Sequence, residues 1–492
     1  MNILFISSEV EPFAKTGGLA DVCGALPRSI AQLGARISVI TPLYRETSLR
    51  VHKPVTVAKM KISIGPDTFD THIVTEPTRH DVPVYFVRCD VLFDRDGIYE
   101  KNGRAFADNH VRFICFCKAV IAFCRETGMQ PDILHLNDWQ SALIAAFLQQ
   151  NRHDPLLHQS ASVLTIHNLA YQGIFPDEVF KLTGLPGSFW HPGQLEFWNQ
   201  INFLKAGIVN ADVITTVSPT YAREITEPEF GCGLEGVLAT RKHDLYGILN
   251  GADYDAWNPA RDSLIKAGYD KHNLTGKQTC KQALIKRFNL DPALMQRPLI
   301  GCISRLVDQK GFDLITDIFE ELLKTDIGFV LLGTGEKRYH DFFARMAQLH
   351  PDRVGLLLAY DNAAAHQIEA GCDLFAMPSR FEPCGLTQIY SLTYGTVPVV
   401  RTTGGLADTI SDCDQNHQGN GFTFELYTGK ALLDAFTRAR ACYRQPSRWQ
   451  ALMQRCMTCD FSWNVSAGAY LEIYRKALKK KVDLTHPPAQ NK

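Results

Sequence analysis

The sequence predicts an α/β protein made of two doubly wound domains, each a parallel sheet covered by helices. Three observations carry that prediction. Short, continuous apolar runs alternate with helical stretches along the whole chain. A Gly-, Asn-, Asp- and Pro-rich stretch at 244–259 (DLYGILNGADYDAWNP) interrupts the alternation near the middle. A six-residue segment, Thr16-Gly17-Gly18-Leu19-Ala20-Asp21, recurs in the second half as Thr403-Gly404-Gly405-Leu406-Ala407-Asp408.

In the first half the apolar runs are 2–7 (NILFIS), 36–41 (RISVIT), 83–87 (PVYFV), 132–136 (DILHL), 162–166 (SVLTI) and 212–217 (DVITTV). In the second they are 299–304 (LIGCIS), 328–332 (GFVLL), 354–358 (VGLLL), 373–377 (DLFAM) and 397–400 (VPVV). Runs of this length without polar alternation read as strands buried on both faces, as in parallel sheets. Helical stretches between them, such as 313–324 and 386–394, complete a βαβα pattern in each half. The punctuating residues at 244–259 set the expected domains at 1–245 and 246–460. Ligands of such sheets bind outside the carboxyl ends of the strands, here expected in the crevice between the halves.

Composition narrows the function classes. With 51 basic and 52 acidic residues the formal net charge is -1, which argues against a nucleic-acid partner and suits a neutral polymer. The N-terminus opens on an apolar run with no charged leader, and no stretch is apolar for long enough to span a membrane. The fourteen cysteines are scattered, several within apolar runs, and are expected to be reduced, packed thiols of a cytoplasmic protein. One CxxC, Cys456 to Cys459, has no second ligand pair near it, so no metal site is assigned. Three DxD-like triplets, at 94–96, 253–255 and 412–414, carry no feature that would make them metal sites, and Gly333-Thr334-Gly335 lacks the third glycine of a dinucleotide fingerprint.

Polar clusters at predicted strand ends are the candidate site. Lys15 precedes the first Gly17-Gly18 turn, where glycines permit close backbone approach and a helix N-terminus favours an anion; a tight turn without ligand is the competing reading. His135-Leu136-Asn137-Asp138-Trp139-Gln140 and Thr165-Ile166-His167-Asn168 follow two further strands. Their histidines suit either hydroxyl binding or plain packing. In the second half, Arg305 and Lys310 of SRLVDQKG can converge on a diphosphate. Glu382 and the Cys384-Gly385-Leu386-Thr387 turn follow the strand at 373–377, where backbone N–H groups at a helix start can hold hydroxyls or phosphate.

Taken together, KTGGLADV (15–22), HLNDWQ (135–140), TIHNLAYQG (165–173), VSPTYAREITEP (217–228), LNGAD (249–253), SRLVDQKG (304–311), PSRFEPCGLTQ (378–388) and TGGLADT (403–409) resemble the bacterial glycogen and starch synthases, from residue 2 to about 476. The resemblance implies the GT-B architecture, two Rossmann-like domains facing across a deep cleft, with a C-terminal helix over 461–480 crossing back to the first domain. It implies metal-independent, retaining transfer of glucose from ADP-glucose to an α-1,4-glucan, with no cofactor.

Carried over by motif, Lys15 and the Gly17-Gly18 backbone would meet the donor phosphates. Arg305 and Lys310 would bind the same diphosphate and stabilise the leaving group. Glu382 would hold glucose hydroxyls above the Cys384, Gly385, Leu386 and Thr387 turn. His167 would contact the donor glucose near the reacting carbon, Asp138 and Asn250 would line the sugar site, and Tyr360 would stack on the base. Tyr390 stands where many GT-B enzymes place a ribose-binding glutamate. UDP-glucose as donor and glucan binding without transfer remain the alternatives. A hydrolase is disfavoured because no second carboxyl pairs with Glu382, and a phosphorylase of the glycogen phosphorylase kind would need a pyridoxal-type cofactor. No oligomeric state is assigned.

Overall fold

The computed structural model describes residues 1–76 and 82–485. The chain forms two compact units. The first comprises Met1–Val217, Ala222–Gly251 and the chain from Trp463; the second comprises Ser218–Tyr221 and Ala252–Ser462.

The first unit is built on a nine-stranded sheet. Its strands are β1 (Asn2–Ile6), β2 (Arg36–Pro42), β3 (Val55–Ile64), β4 (Asp67–Thr75), β5 (Val84–Arg88), β6 (Ile133–Asn137), β7 (Ala161–Ile166), β8 (Val213–Thr216) and β9 (Leu245–Gly247). Their order is β9-β8-β7-β6-β1-β2-β5-β4-β3. From β9 to β5 the pairing is parallel, through buried Val, Ile and Leu. The expectation of a purely parallel sheet is corrected at one edge, where β3 and β4 form an antiparallel hairpin. β3 reads VTVAKMKISI and is mostly exposed, as an edge strand with a wet face should be. Because β9 pairs with β8, the first unit continues to Gly251 rather than ending at 245.

The C-terminal helix, Trp463–Thr485, belongs to the first unit. Tyr470 and Tyr474 of this helix lie in one core with Ile3, Phe5, Leu26 and Val39. His135 is sealed into that core: Tyr474 Oη and Thr165 Oγ1 each lie 2.7 Å from a ring nitrogen, and burial holds its pKa well below the usual value. It is a packed residue, not part of the candidate site.

The second unit has a six-stranded, wholly parallel sheet of β10 (Leu299–Ile303), β11 (Gly328–Leu332), β12 (Val354–Leu357), β13 (Leu374–Met377), β14 (Val397–Arg401) and β15 (Phe422–Phe424), in the order β12-β11-β10-β13-β14-β15. The Phe312–Lys324 helix lays its apolar stripe, Phe312, Ile315, Phe319 and Leu322, on that sheet.

Candidate active site

Both sheets have a switch point, a strand whose two neighbours are reached by connections running in opposite directions. In the first unit it is β1, between β2 and β6; in the second it is β10, between β11 and β13. Crevices for ligands open at the carboxyl ends of such strands. The segments that follow β1, β6, β7, β10 and β13 contain most of the residues singled out by sequence.

After β1 comes Glu9, which is buried and which the sequence reading did not single out. Its carboxylate accepts hydrogen bonds from Thr16 N at 2.5 Å, Thr16 Oγ1 at 2.8 Å, Gly17 N at 3.3 Å and Tyr99 Oη at 2.7 Å. Glu9 thus holds the Lys15–Gly17 loop in place, and the Gly17 N–H is directed at it. A charged residue three positions beyond a buried strand was the signal available in the sequence. Among the described residues, chain neighbours and the helix's own backbone apart, no atom lies within 4 Å of where a Cβ on Gly17 or Gly18 would stand, so the space beside them is open. Lys15 Nζ lies 2.5 Å from Asp21 Oδ1 on the helix that follows.

Asp138 begins the helix after β6 with φ 55°, a strained conformation for a residue with a side chain. Its Oδ1 accepts the His167 N–H at 2.7 Å. Burial nonetheless pushes the carboxyl up to about 7, against the pull of the His167 and Asn168 N–H groups. Burial drives His167 the other way, down to about 3, so its ring is neutral at physiological pH.

The His167 tautomer follows from its neighbour. Asn137 Nδ2 donates to the Ile6 carbonyl at 3.0 Å, so Asn137 Oδ1 is the atom 2.9 Å from His167 Nε2. Nε2 therefore carries the proton and Nδ1 is left as an acceptor. Asn250 is buried, and its Oδ1 has no partner among the described residues, which leaves an acceptor available to a hydroxyl. The loop bearing it is pinned because Gly251 packs on Trp463, where a Cβ would come within 2.6 Å, and because Ser466 Oγ donates to the Leu249 carbonyl at 2.6 Å.

In the second unit, Lys310 Nζ lies 2.5 Å from Glu382 Oε2, which also accepts from Ser379 Oγ at 3.1 Å. The structure thus joins two residues that sequence had placed in separate motifs. Gly311 makes the approach possible: its φ is 74° and a Cβ there would collide with the Pro378 carbonyl. The Arg305 guanidinium is exposed and makes no hydrogen bond or ion pair among the described residues. Gly385, at φ 72°, turns the chain into the Thr387–Thr393 helix, with Leu386 preceding its first residue and Cys384 buried beneath. Thr387 Oγ1 donates to Met377 Sδ at 3.4 Å. Tyr360, on the loop after β12, is 87% exposed. Tyr390 is committed to packing: its ring stacks on Trp257 at 4.3 Å, and Trp257 stacks on His366 at 3.8 Å.

The DxD-like triplets have local partners. Arg45 binds Asp94 and Asp96, Arg438 binds Asp412 and Asp414, and Asp253 accepts the Asp255 N–H. Among the described residues no group of three or more His, Cys, Asp or Glu could hold a metal ion, and no helix is long and apolar enough to cross a membrane.

Residues 2–240 match the family model "Starch synthase catalytic domain", and residues 289–451 match "Glycosyl transferases group 1". With two α/β units and polar clusters at both switch points, these matches define a glycosyltransferase of GT-B type. The chain is 47% identical over 483 residues to the glycogen synthase of Anaeromyxobacter dehalogenans (strain 2CP-1), covering 96% of this chain and 99% of that one. It is 44% identical to the glycogen synthase of Moorella thermoacetica, covering 98% of each. Among solved structures, the catalytic domain of starch synthase IV from Arabidopsis thaliana, bound to ADP and acarbose, superposes with a TM-score of 0.89 at 34% identity, over 97% of this chain and 99% of that one. A sucrose-phosphate synthase from Thermosynechococcus elongatus shares the fold alone, with a TM-score of 0.59 at 17% identity over 97% and 99%. The chain belongs to the glycogen synthase family.

Proposed function

We propose that the chain transfers glucose from ADP-glucose to the non-reducing 4-hydroxyl of an α-1,4-glucan, with retention at the anomeric carbon and release of ADP. The observation that carries this reading is the second unit's charge arrangement. An exposed Arg305, without an ion-pair partner among the described residues, follows β10, and the Lys310–Glu382 pair links the loops after β10 and β13. A leaving diphosphate gains negative charge, and preorganised cations stabilise it where it forms. Lys15 supplies a further cation beside the open glycines of the first unit.

In the proposed step the bond from the anomeric carbon to the diphosphate oxygen breaks, and its electron pair stays on that oxygen. The acceptor oxygen bonds to the same face of the carbon, and its proton passes to the departing phosphate. His167, neutral and with Nδ1 as its acceptor, fits a sugar hydroxyl rather than a charge-stabilising role. Asn250 and Asp138 complete the sugar site, Glu382 binds glucose hydroxyls, the 384–387 turn supports it, and Tyr360 receives the base. This scheme calls on no prosthetic group or metal. All fourteen cysteines are free thiols, in keeping with a reaction in the reducing cytoplasm.

The test is incorporation of labelled glucose into glycogen, with ADP-glucose and UDP-glucose offered separately and Lys15→Ala as control. Incorporation from ADP-glucose that the substitution abolishes is expected. Preference for UDP-glucose would keep the mechanism and overturn the donor. No incorporation from either, in folded protein, would leave glucan binding without transfer.

A further inference from the structure

Directly after the His167–Gly173 loop the chain enters a small three-stranded antiparallel sheet, of Ile174–Pro176, Gln200–Asn202 and Glu196–Phe197. Its register places Ile174 opposite Asn202, Pro176 opposite Gln200, and Gln200 opposite Phe197. Cross-strand partners share a face. One face therefore carries Ile174, Pro176, Gln200, Phe197 and, buried at one end, Asn202, none of them charged. The other carries Phe175, whose ring packs on Phe203 at 5.0 Å and Trp139 at 5.8 Å, the buried Ile201, and Glu196, the sheet's one charged residue.

At the tip of this sheet Trp198 and Asn199 both have positive φ, 54° and 60°. A two-residue hairpin turn of this kind favours Asn-Gly, and a bulky aromatic there is unusual. The indole is 80% exposed, and Tyr171, in the preceding loop, is 55% exposed. The turn is nonetheless well supported. Asn199 N donates to Glu196 Oε1 at 2.7 Å, and Lys205 Nζ donates to the Pro192 carbonyl at 2.5 Å while lying 5.8 Å from the Phe197 ring centre. Asn202 Nδ2 donates to Gln172 Oε1 at 2.6 Å, which ties the sheet to the loop that carries His167.

We propose that this uncharged face, with Trp198 at its rim, is a docking surface for the α-1,4-glucan acceptor. A supported sheet holds an aromatic ring in water, at a conformation few aromatics adopt, on the continuation of a candidate sugar-site loop. Exposed apolar surface of this kind marks an interaction site. The absence of charge on the five cross-strand positions suits a neutral polymer, whose sugar C–H faces pack against an indole, better than an acidic or basic partner. The inference rests on the glucan-transfer reading above.

The experiment has two arms on the full chain. In the first, transfer is measured with wild type, Trp198→Ala and Trp198→Tyr, varying glycogen, maltoheptaose and ADP-glucose. Trp198→Ala is expected to raise the apparent KM for glycogen and maltoheptaose about three- to tenfold, the range of a lost aromatic contact. It should leave kcat and the KM for ADP-glucose unchanged, and Trp198→Tyr should restore most of the affinity. In the second arm, maltoheptaose is titrated against intrinsic fluorescence without donor. A saturable change in wild type that is lost in Trp198→Phe is expected. The second arm decides the inference even if no donor supports transfer, so the two readings can fail separately. An unchanged KM together with an unchanged titration would overturn the proposal. So would a Trp198→Ala protein that binds maltoheptaose normally but changes its sedimentation, which would assign the face to self-association.

Discussion

Arg305 stands just beyond β10 with an exposed guanidinium that no described residue binds. Lys310, five residues on, is different: its side chain is 19% exposed, and its ammonium is bound to a Glu382 carboxylate that is 7% exposed. Replacing each by alanine should therefore separate chemistry from fold. For Arg305→Ala the stability change should stay within about 0.5 kcal/mol, because a solvated side chain without partners is removed. Loss of one preorganised donor to the leaving diphosphate should cost about 3 kcal/mol of transition-state stabilisation, or roughly 150-fold in kcat. Lys310→Ala should lose activity and also destabilise the protein by about 3 kcal/mol, because a buried carboxylate is left without its counter-ion. Adding Glu382→Gln to Lys310→Ala should recover part of the stability and none of the activity. The assay pairs initial rates at saturating ADP-glucose and glycogen with thermal melting of each variant. Wild-type kcat in Arg305→Ala would refute the leaving-group role. A melting loss in that variant as large as in Lys310→Ala would show that Arg305 holds the fold instead.

Two further outcomes follow from geometry and charge. Gly17→Ala meets no atom within 4 Å and should melt like wild type while its KM for ADP-glucose rises, whereas a Cβ on Gly405 collides with the Cys384 backbone. Gly405→Ala should accordingly lose stability first, and equal melting of the two variants would contradict this contrast. Asp138 holds its proton up to about pH 7 in the folded protein against a reference value of 3.8. Between those values the folded state binds more protons than the unfolded chain, so this group's contribution to stability falls as pH rises from about 4 to 7. Urea midpoints at pH 4.5 and 7.0 should show that slope reduced in Asp138→Asn, and identical slopes would refute the raised carboxyl.

The parallel strands were legible because burial on both faces leaves them predominantly apolar, with the few polar side chains, such as His135 and Thr165, hydrogen-bonded inside, and each strand expected from sequence lies at a strand of the structure. The β3–β4 hairpin was not recognised, although its signal is present. Val55 to Ile64 alternates around Lys59 and Lys61, and Gly65-Pro66 makes the turn. Such alternation marks a half-wet edge strand and is weaker than a continuous apolar run. The domain boundary shifted for a related reason. Leu245, Tyr246 and Gly247 are too few to read as a strand, yet they pair with β8 and carry the first unit to Gly251.

Candidate site residues stood out in the sequence where charge or polarity interrupts a strand end. What sequence could not supply was their pairing. The Lys310–Glu382 contact joins positions 72 apart, and the Glu9 carboxylate reaches Thr16, Gly17 and, across 90 positions, Tyr99.

The repeated TGGLAD segment shows why a motif does not carry its function alone. In the first copy the space beside both glycines is open, Glu9 holds the backbone from behind, and Asp21 meets Lys15. In the second copy the glycines admit no side chain. Gly404 lies against the Glu382 carbonyl, Gly405 N donates to the same carbonyl at 3.0 Å, and Asp408 accepts from Thr220 N at 2.7 Å and Thr220 Oγ1 at 2.8 Å. The first pair of glycines thus leaves room for a ligand, and the second makes room for the loop that carries Glu382. The second pair needs glycine for the close approach of the Glu382 loop; the first is proposed to need it for the approach of a ligand. The second copy therefore serves the candidate site through Glu382, whose backbone it fixes. Substitution there should disturb Glu382 through folding, and substitution at Gly17 should act on the ligand itself.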